Sequence, residues 1–409
     1  MSNGKRRLDN WISGYLEYTK EFESPTTFLM WTAISTIGAA LQRKVRLEWG
    51  ADVYYPNFYI VLVAPPGRAR KGSAMSPARD MLRTLQVPLS ADRITLAALV
   101  QDLSSATDSI IEHDRAGTRT HSSLTIFSPE FAVFCGRENL ELMMALADWF
   151  DCSDKWENKT KTMGSEEVIG VFVNLIGATT PSLVQRHFQE MLVGGGLASR
   201  VIFVCEQSRR FTSPTPFFVL SEEGTKLKKD LIHDLAVIRN LTGPFRMTEN
   251  YIKTYGEWYT NMPEICPFDE QHFGSYWSRR SVHVRKLSMI ISAARDNELV
   301  VHKSDLKAAI QLIEDAEAKM PDVFAGVGSA QDSEIIYKIA EFIKRSGTTN
   351  FGAVMREFLL DTNQTQLRHT LLALRDANFC QFDGALNSIT ATTRIQFNAD
   401  FKKGESCKC

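Results

Sequence analysis

Cysteine is sparse and scattered. Its seven copies (Cys135, Cys152, Cys205, Cys266, Cys380, Cys407 and Cys409) are odd in number and too widely spaced for a disulfide framework or a paired CxxC zinc site. They read as reduced thiols, with Cys135, Cys152 and Cys205 placed in or beside apolar stretches as small core hydrophobes. Cys407 and Cys409 lack the other ligands that a tetrahedral metal site needs. None of the eight histidines stands in an HExxH motif, and no GxSxG or SxxK occurs, so metal hydrolysis and acyl transfer have no support. Long apolar runs are also lacking. The longest, FYIVLVA at 58–64, falls far short of the roughly 20 residues of a membrane helix, and the opening MSNGKRRLDN has no apolar segment behind it. A cytoplasmic protein with no membrane partner is expected. Nor does one charge sign dominate: 47 Lys and Arg against 48 Asp and Glu leave a net charge of -1, so any basic surface must be local.

What is present is enough for several cores. The 409 residues, 44% hydrophobic and 23% charged, exceed what one core usually spans, which predicts a folded chain of more than one domain. Residues 1–53 carry apolar positions at helical spacing (Trp11, Ile12, Tyr15, Leu16, then Phe28, Leu29, Trp31, Ile34) and predict a helical collar. Across 54–215, strand-like runs (NFYIVLVA, SSLTIF, VFVNLIGA, SRVIFVC) alternate with helical segments, the rhythm of an α/β core with a parallel sheet. Residues 216–328 return to helical periodicity. After the break FAGVGSAQDS, residues 329–409 predict three helices followed by two strands, near 380–382 and 388–392, the layout of a winged helix.

The sharpest local feature is NFYIVLVAPPGRARKGS at 57–73: a hydrophobic strand, a Pro-Pro-Gly turn, a basic stretch and then a helix-compatible run. A phosphate-binding loop needs this order, because backbone amides and a helix N-terminus surround the phosphates while lysine neutralises them. The spelling is irregular. With Lys71 aligned, Pro65 stands at the first glycine of GxxxxGK[ST], Arg70 at the second and Gly72 at the hydroxyl position, one residue ahead of Ser73. A basic surface loop after a strand is the plain alternative.

Several further pieces follow in order: SSLTIFSPEFAV at 122–133, LADWFDCSDKWENKTKT at 146–162, NLIGATTP at 174–181 and GGGLASRVIFV at 194–204. With RKGSA at 70–74, this series resembles a phage- and plasmid-borne family of RecA-like P-loop ATPases that includes the helicase half of primase-helicase proteins. The resemblance spans roughly residues 8–325. It implies a RecA-like P-loop core with ATP and Mg2+ as cofactors. Gly67, Arg70, Lys71, Gly72 and Ser73 would form the nucleotide loop, with Ser73 reaching Mg2+. Glu130 would activate the attacking water, with Ser128 near the usual metal-side aspartate. Arg200 would act as a finger toward a neighbouring subunit's nucleotide, and Thr179 and Thr180 as a γ-phosphate sensor. Each has a plainer alternative: Glu130 or Thr179 as a helix cap, Arg200 as an internal ion-pair partner.

Nucleic-acid contacts have two candidate places. Tyr276, Trp277, Arg279, Arg280, Arg285 and Lys286 mix aromatics with cations, which suits stacking and phosphate contact on a single strand; an amphipathic helix with its aromatics in the core is the alternative. In the third helix of the terminal unit, Gln364, Gln366, Arg368 and Arg375 could reach phosphates or base edges of duplex DNA. Asp148, Asp151 and Asp154 read as a solvated edge, and Lys5, Arg6 and Arg7 as an electrostatic arm. The expectation is an ATP-dependent motor on DNA, a replicative helicase or helicase-like protein, working as a homo-oligomer with a hexameric ring as one form and a separate primase on another chain. The rivals are a replication initiator or loader that binds nucleotide without robust hydrolysis, and a nucleotide-free adaptor.

Overall fold

Helix α1 (Trp11–Tyr18) starts where the Asn10 side chain accepts the Ser13 amide at 3.0 Å, a side-chain cap that satisfies one orphan donor of the first turn. The computed structural model describes residues 4–112, 117–135, 139–160, 164–184, 196–215, 217–268, 270–321, 329–359, 362, 364–382 and 389–399. Helix α2 (Thr26–Leu41), apolar almost all round, is buried on nearly every side. Then come β1 (Val45–Trp49), β2 (Asp52–Tyr54), β3 (Tyr59–Val63), α3 (Lys71–Thr84), α4 (Leu96–Ser105), β4 (Thr107–Glu112), β5 (Gly117–Ser128), α5 (Phe131–Cys135) and α6 (Leu140–Phe150). The hairpin β6 (Lys155–Thr160) and β7 (Gly164–Ile169) leads into β8 (Val171–Thr179) and β9 (Val201–Cys205). The unit closes with α7 (Glu222–Arg239), β10 (Gly243–Met247), α8 (Glu249–Thr260), α9 (Glu270–Arg295), β11 (Val300–Val301) and α10 (Lys303–Glu317).

The central sheet has the order β4-β5-β8-β3-β9. Strands β5, β8, β3 and β9 run parallel, and every residue of β3, β8 and β9 is buried, as continuous Val/Ile/Leu runs covered on both faces require. Strand β4 is antiparallel to β5, and Leu89 makes an isolated parallel bridge to Thr125. In the register Val63 faces Thr179 and Cys205, while Tyr59 faces Val201. The carboxyl ends of four strands therefore share one edge.

Two compact units divide the chain, residues 1–325 and 326–409. The boundaries expected at 53 and 215 do not separate compact bodies. A second sheet, β11-β10-β1-β2, joins strands from the expected collar to strands from the expected helical module, with Val45 beside Gly243 and Arg246 beside Val300. Two buried asparagines add to this fastening. Asn174 accepts the Phe58 amide at 3.0 Å and donates to the Ser35 carbonyl at 3.2 Å, while Asn57 donates to the carbonyls of Phe150 and Val173.

The second unit is α11 (Ser329–Ser346), β12 (Thr348–Asn350), α12 (Phe351–Glu357), α13 (Gln364–Asp376), β13 (Cys380–Gln381) and β14 (Arg394–Phe397). Its antiparallel sheet has the order β12-β14-β13 around a core of Ile339, Ile343, Phe351, Leu367, Leu371 and Ile395. The three helices match expectation. The last strand does not: it begins at Arg394, after a turn that occupies the described part of the expected 388–392 strand, and β12 is an addition. Ser388 lies outside the described residues.

Candidate nucleotide site

Strand β3 delivers the chain to the shared carboxyl edge, where residues 64–70 form a loop before α3. The Ala64 amide donates to the Thr179 carbonyl at 3.3 Å, which fastens the loop to the end of β8. Gly67 takes φ +70°, and a Cβ there or at Gly72 would meet nothing within 4 Å. The loop is open, with Gly67, Arg70, Gly72 and Ser73 exposed. Arg70, which replaces the second glycine of the motif, adopts a left-handed backbone (φ 49°, ψ 43°). Its guanidinium is drawn aside to Glu23 at 2.7 Å, and its carbonyl accepts from the Ser24 hydroxyl at 3.0 Å. A side chain at this position therefore does not close the cradle.

Helix α3 begins at Lys71 with no side-chain cap, and its first backbone bond runs from Ala74 to Arg70 at 3.1 Å. The amides of Lys71, Gly72 and Ser73 therefore have no acceptor within the helix, the arrangement that receives an anion oxygen. Lys71 Nζ donates to the Ala64 carbonyl at 2.6 Å and approaches the Pro65 carbonyl at 3.5 Å. Burial lowers the Lys71 pKa, and nearby Glu130 opposes that shift. Lysine and carboxylate thus feel one another across the edge. Glu130 is exposed just beyond β5, and its carbonyl accepts the Val133 and Phe134 amides at the start of α5.

Thr179 is buried at the end of β8, beside Val63, and Thr180 accepts the amides of Leu183 and Val184 through its carbonyl. The edge so gathers Gly67, Arg70, Lys71, Gly72, Ser73, Glu130, Thr179 and Thr180. Ser128, one strand further along, is buried with its hydroxyl unpartnered. Among the described residues no group of three or more His, Cys, Asp or Glu side chains could hold a metal by itself. The donor set is one that could take a phosphate chain, and Mg2+ would there be held through phosphate oxygens and one or two protein oxygens such as Ser73 Oγ.

No family model matches the chain, and no curated protein matches it. Among the described residues no helix is long and apolar enough to cross a membrane.

Other expected residues fall elsewhere. Arg200 precedes Val201, the partner of Tyr59, and so sits at the amino edge of the sheet, a strand length of roughly 16 Å from the loop. It is 7% exposed, pairs with Asp151 at 2.8 Å and donates to the Gly196 carbonyl at 3.2 Å. Gly194 and Gly195 of its glycine turn lie outside the described residues. Arg279 also approaches Asp151, at 3.5 Å.

The aromatic and basic segment is a correction. Arg280 is buried in an ion pair with Glu317 at 2.8 Å, between the rings of Trp258 and Trp277. Tyr276 donates to Glu317 at 3.1 Å, Arg285 donates to the Tyr255 hydroxyl at 2.9 Å, and Lys286 donates to Asn57 Oδ1 at 2.7 Å. The helix turns this face inward, so it offers no strip for a nucleic acid. Arg6 is no free arm either, since its guanidinium donates to Asn297 and to the Ala293 carbonyl. Asp151 and Asp154 are likewise paired, with Arg200 and Arg43.

In the second unit Gln364 is exposed at the start of α13. Arg368 donates to the Ile389 carbonyl at 3.0 Å, and Arg375 pairs with Asp376 at 3.4 Å, which turns both cations toward their own unit. The side chain of Gln366 lies outside the described residues. Sequence reasoning missed Glu23, which gathers Arg70, Arg209 (3.2 Å) and the Ser213 amide behind the loop. No local motif marks it, because its partners come from distant stretches.

Proposed function

We propose that residues 1–325 are a RecA-like P-loop ATPase core and that the protein is an ATP-dependent motor acting on DNA, of the helicase type. The observation that carries this reading is the convergence of an open, uncapped helix N-terminus, Lys71, Glu130 and Thr179 on one sheet edge. Strand β3 lies between β8 and β9, both later in sequence, so its loop sits where crossover connections diverge, the usual place for a ligand in an open α/β sheet. The order helix, strand, helix, helix, strand, strand in the second unit supports a winged helix, whose α13 would meet duplex DNA through Gln364.

ATP with Mg2+, when bound, supplies the phosphoryl group transferred to water. Lys71 would exchange the Ala64 and Pro65 carbonyls for phosphate charge, while the first amides of α3 receive phosphate oxygens. Gly67 and Gly72 leave room for that approach, Arg70 adds a cation at the rim, Ser73 would hold Mg2+, Glu130 would orient the water, and Thr179 with Thr180 would sense the terminal phosphate. Arg200 faces away from its own loop, so a finger role belongs to a ring in which it meets the nucleotide of the next copy after leaving Asp151. A separate primase would supply priming.

One observation favours a second reading, an initiator or loader that binds nucleotide without robust turnover: Ser128 stands where a metal-side carboxylate is expected. Hydrolysis assays with single-stranded DNA decide between the two. The motor gives DNA-stimulated turnover that Lys71→Ala lowers at least about 100-fold, consistent with loss of a charge-assisted phosphate contact of about 3 kcal/mol. Binding without turnover selects the initiator, and no nucleotide binding at all leaves the adaptor.

A further inference from the structure

Glu23 stands in the turn between α1 and α2, and its carboxylate ties distant stretches of the chain together behind the Lys71 loop. Oε2 accepts from Arg70 Nε at 2.7 Å, while Oε1 accepts from Arg209 Nη1 at 3.2 Å and from the Ser213 amide at 3.1 Å. Two guanidiniums thus share one carboxylate. Among the described residues neither guanidinium has another partner. Further bonds fix the junction without the Arg70 side chain. The Arg209 amide donates to the Arg68 carbonyl at 2.9 Å, the Arg210 amide to the Glu23 carbonyl at 3.0 Å, and the Ser24 hydroxyl to the Arg70 carbonyl at 3.0 Å.

The Arg70 side chain is 48% exposed, against 14% for Glu23. An ion pair with a half-exposed member is weak in water and exchanges readily. A phosphate offers a guanidinium a multiply charged, bidentate acceptor, which is the stronger contact. If Arg70 leaves, Glu23 keeps Arg209 and the Ser213 amide, so no charge is stranded. The backbone points the same way. Arg70 has φ 49°, in a region that glycine enters freely and arginine only at a cost. A residue held there against its preference argues for a use of its side chain. Arg70 also immediately precedes Lys71, Gly72 and Ser73, whose amides have no acceptor within α3.

We infer that Arg70 is a two-position phosphate ligand and that Glu23 is its positioning residue: the carboxylate holds the guanidinium off the empty loop and gives it up to a bound phosphate. Affinity for a phosphate chain is then set by competition between Glu23 and the ligand for one side chain. The inference rests on the reading of the Lys71 loop as a phosphate site.

Calorimetry on the full chain with Mg2+ tripolyphosphate, a probe with phosphates and no base, tests this. Glu23→Gln keeps the shape and removes the competing charge, and binding is expected to tighten at least about threefold. Arg70→Gly, which suits the backbone at this position, is expected to weaken binding at least about threefold. Adding Glu23→Gln to Arg70→Gly should then change nothing, because the residue through which Glu23 acts is gone. A Glu23 that only supports the fold would instead weaken binding when changed, with or without Arg70. Should Glu23→Gln fail to fold, the Arg70 Nε–H resonance, assigned by its absence from Arg70→Gly, must shift when Mg2+ tripolyphosphate is added to the unaltered protein. Unchanged or weaker binding in Glu23→Gln, tightening that persists in the double variant, or a resonance that stays in place overturns the inference and leaves the Lys71 site standing. Failure of the unaltered protein to bind either tripolyphosphate or ATP removes the site itself, and the inference with it.

Discussion

A charged residue's partners decide what it can do, and this chain shows both outcomes. Arg70 adopts a backbone usually left to glycine, yet it harms nothing because Glu23 draws its side chain away from the cradle. Arg280 is spent on Glu317 instead, and removing either partner would strand a buried charge. Histidine 283 is the sharpest case. It is fully enclosed beside the rings of Phe58, Phe150 and Tyr276, its Nε2 lies 3.2 Å from the Ser199 carbonyl, and its Nδ1 has no partner. Burial pushes its pKa down to about 3, from an ordinary 6.5. Between those values the unfolded chain binds a proton that the folded chain refuses, so stability falls as pH drops from about 6.5 toward 3. His283→Gln keeps a donor for Ser199 and removes the titration. Urea midpoints measured from pH 7 to pH 4 should fall less steeply in this variant, by up to about 1.4 kcal/mol per pH unit. Equal slopes would show that His283 takes up its proton alike in the folded and the unfolded chain.

At the scale of elements, α2 is the strut on which the central sheet rests. Gly38 lets it lie against the chain entering β3: an added Cβ would stand 2.6 Å from the Pro56 carbonyl oxygen and 3.4 Å from Asn174 Oδ1. Backbone cannot yield there as a flexible side chain could, so Gly38→Ala should destabilise the first unit by about 1–3 kcal/mol, despite alanine's better helix propensity. Chemical denaturation followed by tryptophan fluorescence reads this, and an unchanged midpoint would mean that α2 shifts freely. The strands beside this helix were legible because their apolar runs are continuous: YIVLV, VFVNLIGAT and VIFVC each match a fully buried strand. The strand, loop and helix order from Tyr59 to Thr84 was legible for the same reason, since the three pieces adjoin in sequence. The β11-β10-β1-β2 sheet was not. Its members are short and partly polar, such as DVY and GPFRM, and they gain their register only from partners up to about two hundred residues away. The inward turn of Tyr276 and Arg280 was hidden likewise, because Glu317, which they share, lies on another helix.

For the whole molecule, a net charge of -1 leaves little long-range attraction to a polyanion, so the proposed contact with DNA would have to come from shaped local surfaces. The second unit has its own core, with Ile339, Ile343, Leu367 and Leu371 from two helices closed by Ile395 of the sheet. It should therefore fold alone. A fragment of residues 326–409 is expected to melt in one cooperative transition by circular dichroism, and a broad, non-cooperative loss of helix would refute that independence. Its DNA behaviour is constrained by the same geometry. Arg368 is tied to the Ile389 carbonyl and Arg375 to Asp376, so both cations of α13 are engaged within their own unit. If α13 enters the major groove as a winged helix would, the fragment should bind labelled duplex weakly, with Gln364→Ala reducing affinity. Its log K against log salt should have a slope shallower than about -3, since each neutralised phosphate contributes roughly -0.9. A slope near -6 would place the contacts on a cationic surface other than α13, and no binding at all would remove DNA contact from this unit.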